Sequence, residues 1–249
     1  MSISEACTEL KLSYIKNNYK QISNEARVND TSYEDYLLEL LKGESEQRKI
    51  NAIKRRINEA HFPNKILLEE FKRDHLNVSI RQKIKQLKTL DFIDNKENIV
   101  LIGNPGTGKT ALSIALGMKA CLDNKRVLFI SVPNLMIELK EAMSRNQITK
   151  YKRRIEKYDL VIFDELGYVT FDQESGEILF NLLSNRNDAG SIIITSNLTF
   201  DRWNEVFKDK VLTGAIVDRL AYKSHLMDMT GDSYRIKATK EWQGENEHE

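Results

Sequence analysis

The chain has 249 residues, of which 41% are hydrophobic and 30% charged, with a formal net charge of +1. That length accommodates one large domain, or an ordinary domain with a smaller appendage, and the composition is that of a globular protein. No run approaches the roughly 20 apolar residues of a membrane-spanning helix, and the opening MSISEACTEL is acidic, so no membrane contact is expected and a cytoplasmic location is.

The charge is unevenly placed. Residues 1–47 carry 5 basic and 9 acidic side chains, whereas residues 48–88 carry 12 basic and 4 acidic ones. A basic block therefore lies between two acidic stretches. Cys7 and Cys121 have no paired spacing, and His61, His75, His225 and His248 have none that suits a metal, so neither a disulfide framework nor a metal cluster is expected from them.

The first ninety residues have the Lys, Glu, Leu and Ile usage of helices, with Pro63 at a boundary. Ser32 followed by Asp35 resembles a capping box opening YEDYLLELL, and Gly43 interrupts the pattern, which predicts two helices there rather than one. Further on, Ile50, Ile53 and Ile57 share one helical arc while Arg48, Lys49, Arg55 and Arg56 share another. Such a helix packs by one face and presents a cationic face, suited to phosphates, with the other.

From Asn98 the pattern changes to short apolar runs separated by helical stretches: NIVLIG, KRVLFISV, YDLVIFDEL, SIIITSN and HLMDM. Strands apolar on both faces and alternating with helices predict an α/β fold with a mainly parallel five-stranded sheet between helices. The expected division is a small all-helical N-terminal domain over residues 1–64, a linker over 65–97, a core over 98–240 and a polar tail over 241–249.

Gly103, Asn104, Pro105, Gly106, Thr107, Gly108, Lys109 and Thr110 match G-x-x-x-x-G-K-T between the strand NIVLI and the helical ALSIALGMKA. In such a loop the glycines let backbone N–H groups curl toward phosphates, Lys109 reaches the β- and γ-phosphates, and the Thr110 hydroxyl ligates Mg2+. The strand LVIFDE ends in two carboxylates, Asp164 on the metal side and Glu165 as general base toward water. Asn197, closing SIIITSN, is a candidate to contact the γ-phosphate or orient that water. Arg219 in VLTGAIVDRL is a candidate finger for a neighbouring subunit's site, with Arg235 as a second candidate. ATP with Mg2+ is the expected ligand.

These residues resemble the AAA+ transposition helpers called IstB and, more distantly, the DnaC-type bacterial helicase loaders. The resemblance runs from about Leu10 to Arg235. It is carried by DLVIFDELGYVTFDQESGEILFNLLSNR, by TSNLTFDRWNEVFKDKVLTGAIVDRL, by GDSYR and by the linker-like EAHFPNKILLEEF, with Asn197 and Arg219 at the family's sensor and arginine positions. FKRDHL departs from the usual pattern on the adenine side, and too few residues follow Arg235 for the helical lid of larger AAA+ proteins. The resemblance implies a homo-oligomer that binds double-stranded DNA under ATP control and helps a transposase encoded by the same element. Two alternatives remain at this point: a helicase-loading adaptor whose N-terminal region grips a protein ring, and an ATPase fold retained only for binding.

Overall fold

The computed structural model describes residues 1–72, 76–186, 189–231, 233, 234, 236 and 239. The chain divides into two units, Met1–Arg55 and Arg56–Glu249. The division falls inside a helix, upstream of the 65–97 stretch expected from sequence to be the linker.

The first unit is helical. α1 (Ile3–Glu9) starts at a reciprocal capping box between Ser2 and Glu5, and is followed by α2 (Ser13–Val28) and α3 (Tyr33–Glu59). Ser32 opens α3 as expected, accepting the Asp35 N–H at 3.1 Å. Gly43 does not interrupt this helix, contrary to the sequence expectation. α3 runs through it for 27 residues, and the glycine serves a close contact, since a Cβ there would lie 2.0 Å from the Tyr14 ring. The neighbouring Glu44, 4% exposed, accepts the N–H groups of Tyr14 and Ile15 at 2.8 and 3.3 Å. α2 has no side-chain cap of its own, so Glu44 satisfies first-turn donors that would otherwise be orphaned. A small core of Cys7, Ile15, Ile22 and Leu40 closes the unit.

In the second unit α4 (Val78–Leu87) and α5 (Asp91–Asp94) precede the sheet. Their Ile80, Ile84, Leu87, Phe92 and Ile93 enter its core, so this stretch is packed structure. Then follow β1 (Asn98–Ile102), α6 (Lys109–Leu122), β2 (Val127–Ser131), α7 (Val132–Ser144), α8 (Ile148–Glu156), β3 (Leu160–Leu166), α9 (Gln173–Arg186), β4 (Ser191–Ser196), α10 (Asn204–Phe207), α11 (Lys210–Ala221) and β5 (Ser224–Asp228). The five strands pair in parallel in the order β2-β3-β4-β1-β5. The period-two rule decides which face each side chain joins. Phe129, Ile162 and Ile193 pack with α4, α5 and α6, while Leu128, Ile130, Val161, Phe163, Ile192 and Ile194 pack with α7, α8, α9 and α11. The mainly parallel sheet between helices expected from sequence is thus present.

Arg186 lies within the second layer with no exposed surface and donates to the carbonyls of Ile155, Tyr158 and Ser191, joining α9 to the ends of its neighbours. Burial pushes its guanidinium down to about 10. At the sheet's flanks, the Phe129 N–H of β2 donates to the Ala60 carbonyl at 2.8 Å, and the Lys83 ammonium donates to the Leu226 carbonyl of β5 at 2.7 Å. No helix among the described residues is long and apolar enough to cross a membrane.

Candidate functional site

The site forms where β1, β3 and β4 end. After Ile102 the chain curls through a loop in which Gly106 and Gly108 take φ of 83° and 92°, a left-handed conformation that disfavours a side chain. At Gly106 a Cβ would also stand 2.2 Å from the Ser233 hydroxyl. α6 begins at Lys109 without a side-chain cap, leaving first-turn N–H groups of the kind that receive anions. The Lys109 ammonium lies over its own loop, donating to the Gly103 and Asn104 carbonyls at 2.6 and 2.7 Å. The Thr107 hydroxyl donates to Asn104 O at 2.9 Å and tightens the turn.

The next residue, Thr110, donates its hydroxyl to Asp164 Oδ1 at 2.9 Å, and Thr195 on β4 donates to the same oxygen at 2.6 Å. Asp164 is 4% exposed. Burial pushes its carboxyl above the ordinary range, opposed by the hydrogen bonds from Thr195 and Thr110 and by the Lys109 charge. Glu165, next in sequence, is exposed and takes φ of 67°, where β3 slips register against β4. The slip is a bulge, which reaims a side chain at a strand end.

A cavity of about 300 Å3 lies beside these groups. Pro105, Gly106, Gly108, Lys109 and Thr110 line it from the loop, Glu165, Thr195 and Asn197 from the strand ends, and Asn64, Ile66, Tyr168 and Tyr234 are among its other walls. The Asn197 side-chain oxygen is buried without a hydrogen-bond partner among the described residues. Gly167, at φ 118°, makes room for it, since a Cβ there would approach that oxygen to 2.5 Å. A second cavity of about 460 Å3 shares Thr110 and Glu165 and adds Asp164, Ser131, Asn134 and Arg154. The hydroxyl of Thr110 and the carboxylate of Asp164 are hard oxygen donors, a set that fits Mg2+. A lysine and an uncapped helix start on one cavity fit a phosphate-bearing ligand, and the unpartnered amide oxygen of Asn197 is an acceptor that suits a donor such as water.

The structure therefore brings Lys109, Thr110, Asp164, Glu165 and Asn197 together. Arg219 is not among them: it stands exposed in the last turn of α11 and lines neither cavity. Arg235 lies outside the described residues. The four cations of α3 do not form one uniform face. Arg48 pairs with Glu44 at 3.1 Å and donates to Lys11 O at 3.2 Å, Lys49 stands 3.8 Å from Glu46, and Arg56 is half-buried with its guanidinium on Asn124. Lys49 and Arg55 keep exposed side chains.

Sequence reasoning misses Thr195, hidden as an ordinary member of an apolar strand, and Gly167, whose role depends on a neighbour thirty positions on. It also misses α8 and its C-terminal flank, where Lys150, Arg153 and Lys157 lie exposed and have no ion pair among the described residues. Their spacing at i, i+3 and i+7 is the available signal.

Comparison with known proteins follows the same lines. Residues 5–242 match the family described as IstB-like ATP binding protein. The ATP-binding protein named for insertion sequence IS21 of Pseudomonas aeruginosa is 33% identical over 230 residues, covering 92% of this chain and 87% of that protein. Among solved structures, AMPPCP-bound DnaA from Aquifex aeolicus superposes with a TM-score of 0.60 at 20% identity, over 74% of this chain and 56% of that one. The DnaC helicase loader gives a TM-score of 0.56 at 20% identity, over 70% of this chain and 98% of that one. Both likenesses show the AAA+ fold alone.

Proposed function

This chain belongs to the IstB-like ATP-binding family, and from that premise we propose that it is an ATPase that assembles on double-stranded DNA and assists the transposase of its insertion sequence. The observation that carries the reading is the convergence of Lys109, Thr110, Glu165 and Asn197 on one cavity, with Asp164 held directly behind Thr110. The naming of its relative for an insertion sequence supports the biological setting.

Each residue has a task that its chemistry fits. Lys109, which satisfies its ammonium on two loop carbonyls, exchanges them for β- and γ-phosphate oxygens. Thr110 and Asp164 would hold Mg2+, which would supply positive charge to offset that of the phosphates. Glu165, exposed at its bulge, accepts the proton of the attacking water. Asn197 orients that water or the γ-phosphate through its amide. Arg219, exposed and outside its own chain's cavity, is supplied to a neighbouring copy, where a guanidinium offsets charge on the transferring phosphoryl group.

The test is to assay Glu165→Gln and Arg219→Ala proteins separately and mixed, with duplex DNA present. Each alone should bind ATP and turn over poorly, and the mixture should regain activity from composite sites. Wild-type turnover by Glu165→Gln would remove Glu165 as the base. Turnover by Arg219→Ala that is normal and independent of protein concentration would remove the shared site.

A further inference from the structure

We propose that Thr195 is a positioning residue that holds the two acids of the site at a fixed offset, through a single hydroxyl engaged on both sides. The proposal rests on the reading of Asp164 and Glu165 given above and assigns what keeps them in place. Along β3 and β4, Phe163 stands opposite Ile194 and Leu166 opposite Ser196. Two residues of β3, Asp164 and Glu165, are therefore accommodated against the one residue of β4 between those pairs, Thr195. Such a bulge leaves a ladder group unpaired.

Thr195 resolves this with its side chain. Its oxygen accepts the Glu165 N–H at 2.9 Å, and its proton goes to Asp164 Oδ1 at 2.6 Å. The residue is 1% exposed, so water has no ready access to replace either bond. A hydroxyl is the group that can accept and donate at one atom here, which Ser shares and Val does not. Without it the N–H of Glu165, a non-glycine residue already at positive φ, loses its partner, and Asp164 keeps Thr110 alone. Thr195 thus couples the backbone of the proposed base to the carboxylate of the proposed metal ligand, so neither can shift independently.

The experiment compares wild type with Thr195→Val and Thr195→Ser. The first readout is hydrogen exchange of the Glu165 amide, followed by NMR in the ligand-free protein, which needs no hydrolysis. Thr195→Val should exchange at least about tenfold faster at that amide, the scale of one buried hydrogen bond, with global stability checked by thermal melting. Thr195→Ser should retain the wild-type protection. The second readout is ATP turnover: Thr195→Val should lose kcat by about tenfold or more with the ATP dissociation constant within about threefold, and Thr195→Ser should restore kcat. If Thr195→Val does not fold, Thr195→Ala set against Thr195→Ser gives the same contrast. Unchanged Glu165 protection in the variants lacking the hydroxyl would overturn the proposal, as would a Thr195→Ser protein as impaired as Thr195→Val. A wild-type protein that exchanges as described but does not hydrolyse ATP would instead overturn the ATPase reading and leave the positioning role standing.

Discussion

The carboxyl edge of the sheet and the cationic face of α3 both stand out as charged patterns in the sequence, and the fold treats them differently. At the sheet edge the pattern is completed by other elements: Thr110 from α6 and Thr195 from β4 meet Asp164 from β3. On α3 the pattern is partly taken away by other groups, since Arg48 balances the buried Glu44 and Arg56 is held by Asn124. The difference is one of information. A phosphate-loop motif specifies a backbone shape and a location at a strand end, whereas a helical wheel describes only the helix and is silent about what packs on it.

The largest expected effect falls at the edge. Lys109→Ala removes the loop's side-chain cation and should weaken ATP binding on the order of a hundredfold or more, read by calorimetry, with the fold intact by circular dichroism. Normal affinity would break the contrast, because the motif would then be a turn and nothing more.

A smaller effect is expected on α3, and the structure sharpens how to look for it. Reversing all four cations would place acid beside Glu44 and undo the Asn124 interaction, confusing grip with folding. Lys49→Gln with Arg55→Gln should lower duplex affinity alike for unrelated sequences, while ATP binding persists. The log–log salt slope should fall by about 0.9 for each phosphate that is no longer neutralised. If the slope is unmoved there but falls when Lys150, Arg153 and Lys157 are neutralised, the DNA grip belongs to the ATPase unit.

The smallest effect concerns the cost of the site to its own stability. Asp164 carries a raised carboxyl because of burial. Well below the ordinary carboxylate range it is neutral folded and unfolded alike. As pH rises the unfolded chain gives up this proton first, so stability falls until the folded carboxyl also ionises. Asp164→Asn should therefore raise the melting temperature of the ligand-free protein at pH 7 by a few degrees and change it less near pH 4. A lower melting temperature at pH 7 would mean that the hydrogen bonds from Thr110 and Thr195 outweigh the desolvation.

Much of this molecule is legible in its sequence, for physical reasons. The strands β1 to β4 announce themselves because each is largely buried on both faces and is correspondingly apolar, whereas the edge strand β5 buries only Met227. The residues from Gly103 to Thr110 announce themselves because a tight phosphate loop admits few sequences. What stays hidden depends on partners distant in sequence. Gly43 resembles a break because nothing local shows the Tyr14 ring against it. Glu44 resembles a surface acid because the open N–H groups it meets belong to α2. Thr195 resembles strand filler because its role follows from a one-residue slip between β3 and β4, and register is not written in either strand alone.

The flanks of the sheet bear on how this protein survives partial unfolding. An uncovered strand edge is a template for pairing with another chain, and here β2 is engaged by the Ala60 carbonyl and β5 by the Lys83 ammonium. Both guards come from the sequence before β1, so fraying of that stretch uncovers two sticky edges at once. Ala60 and Lys83, both ahead of β1 in the chain, are in this sense the points at which the two edges are guarded against pairing with another chain.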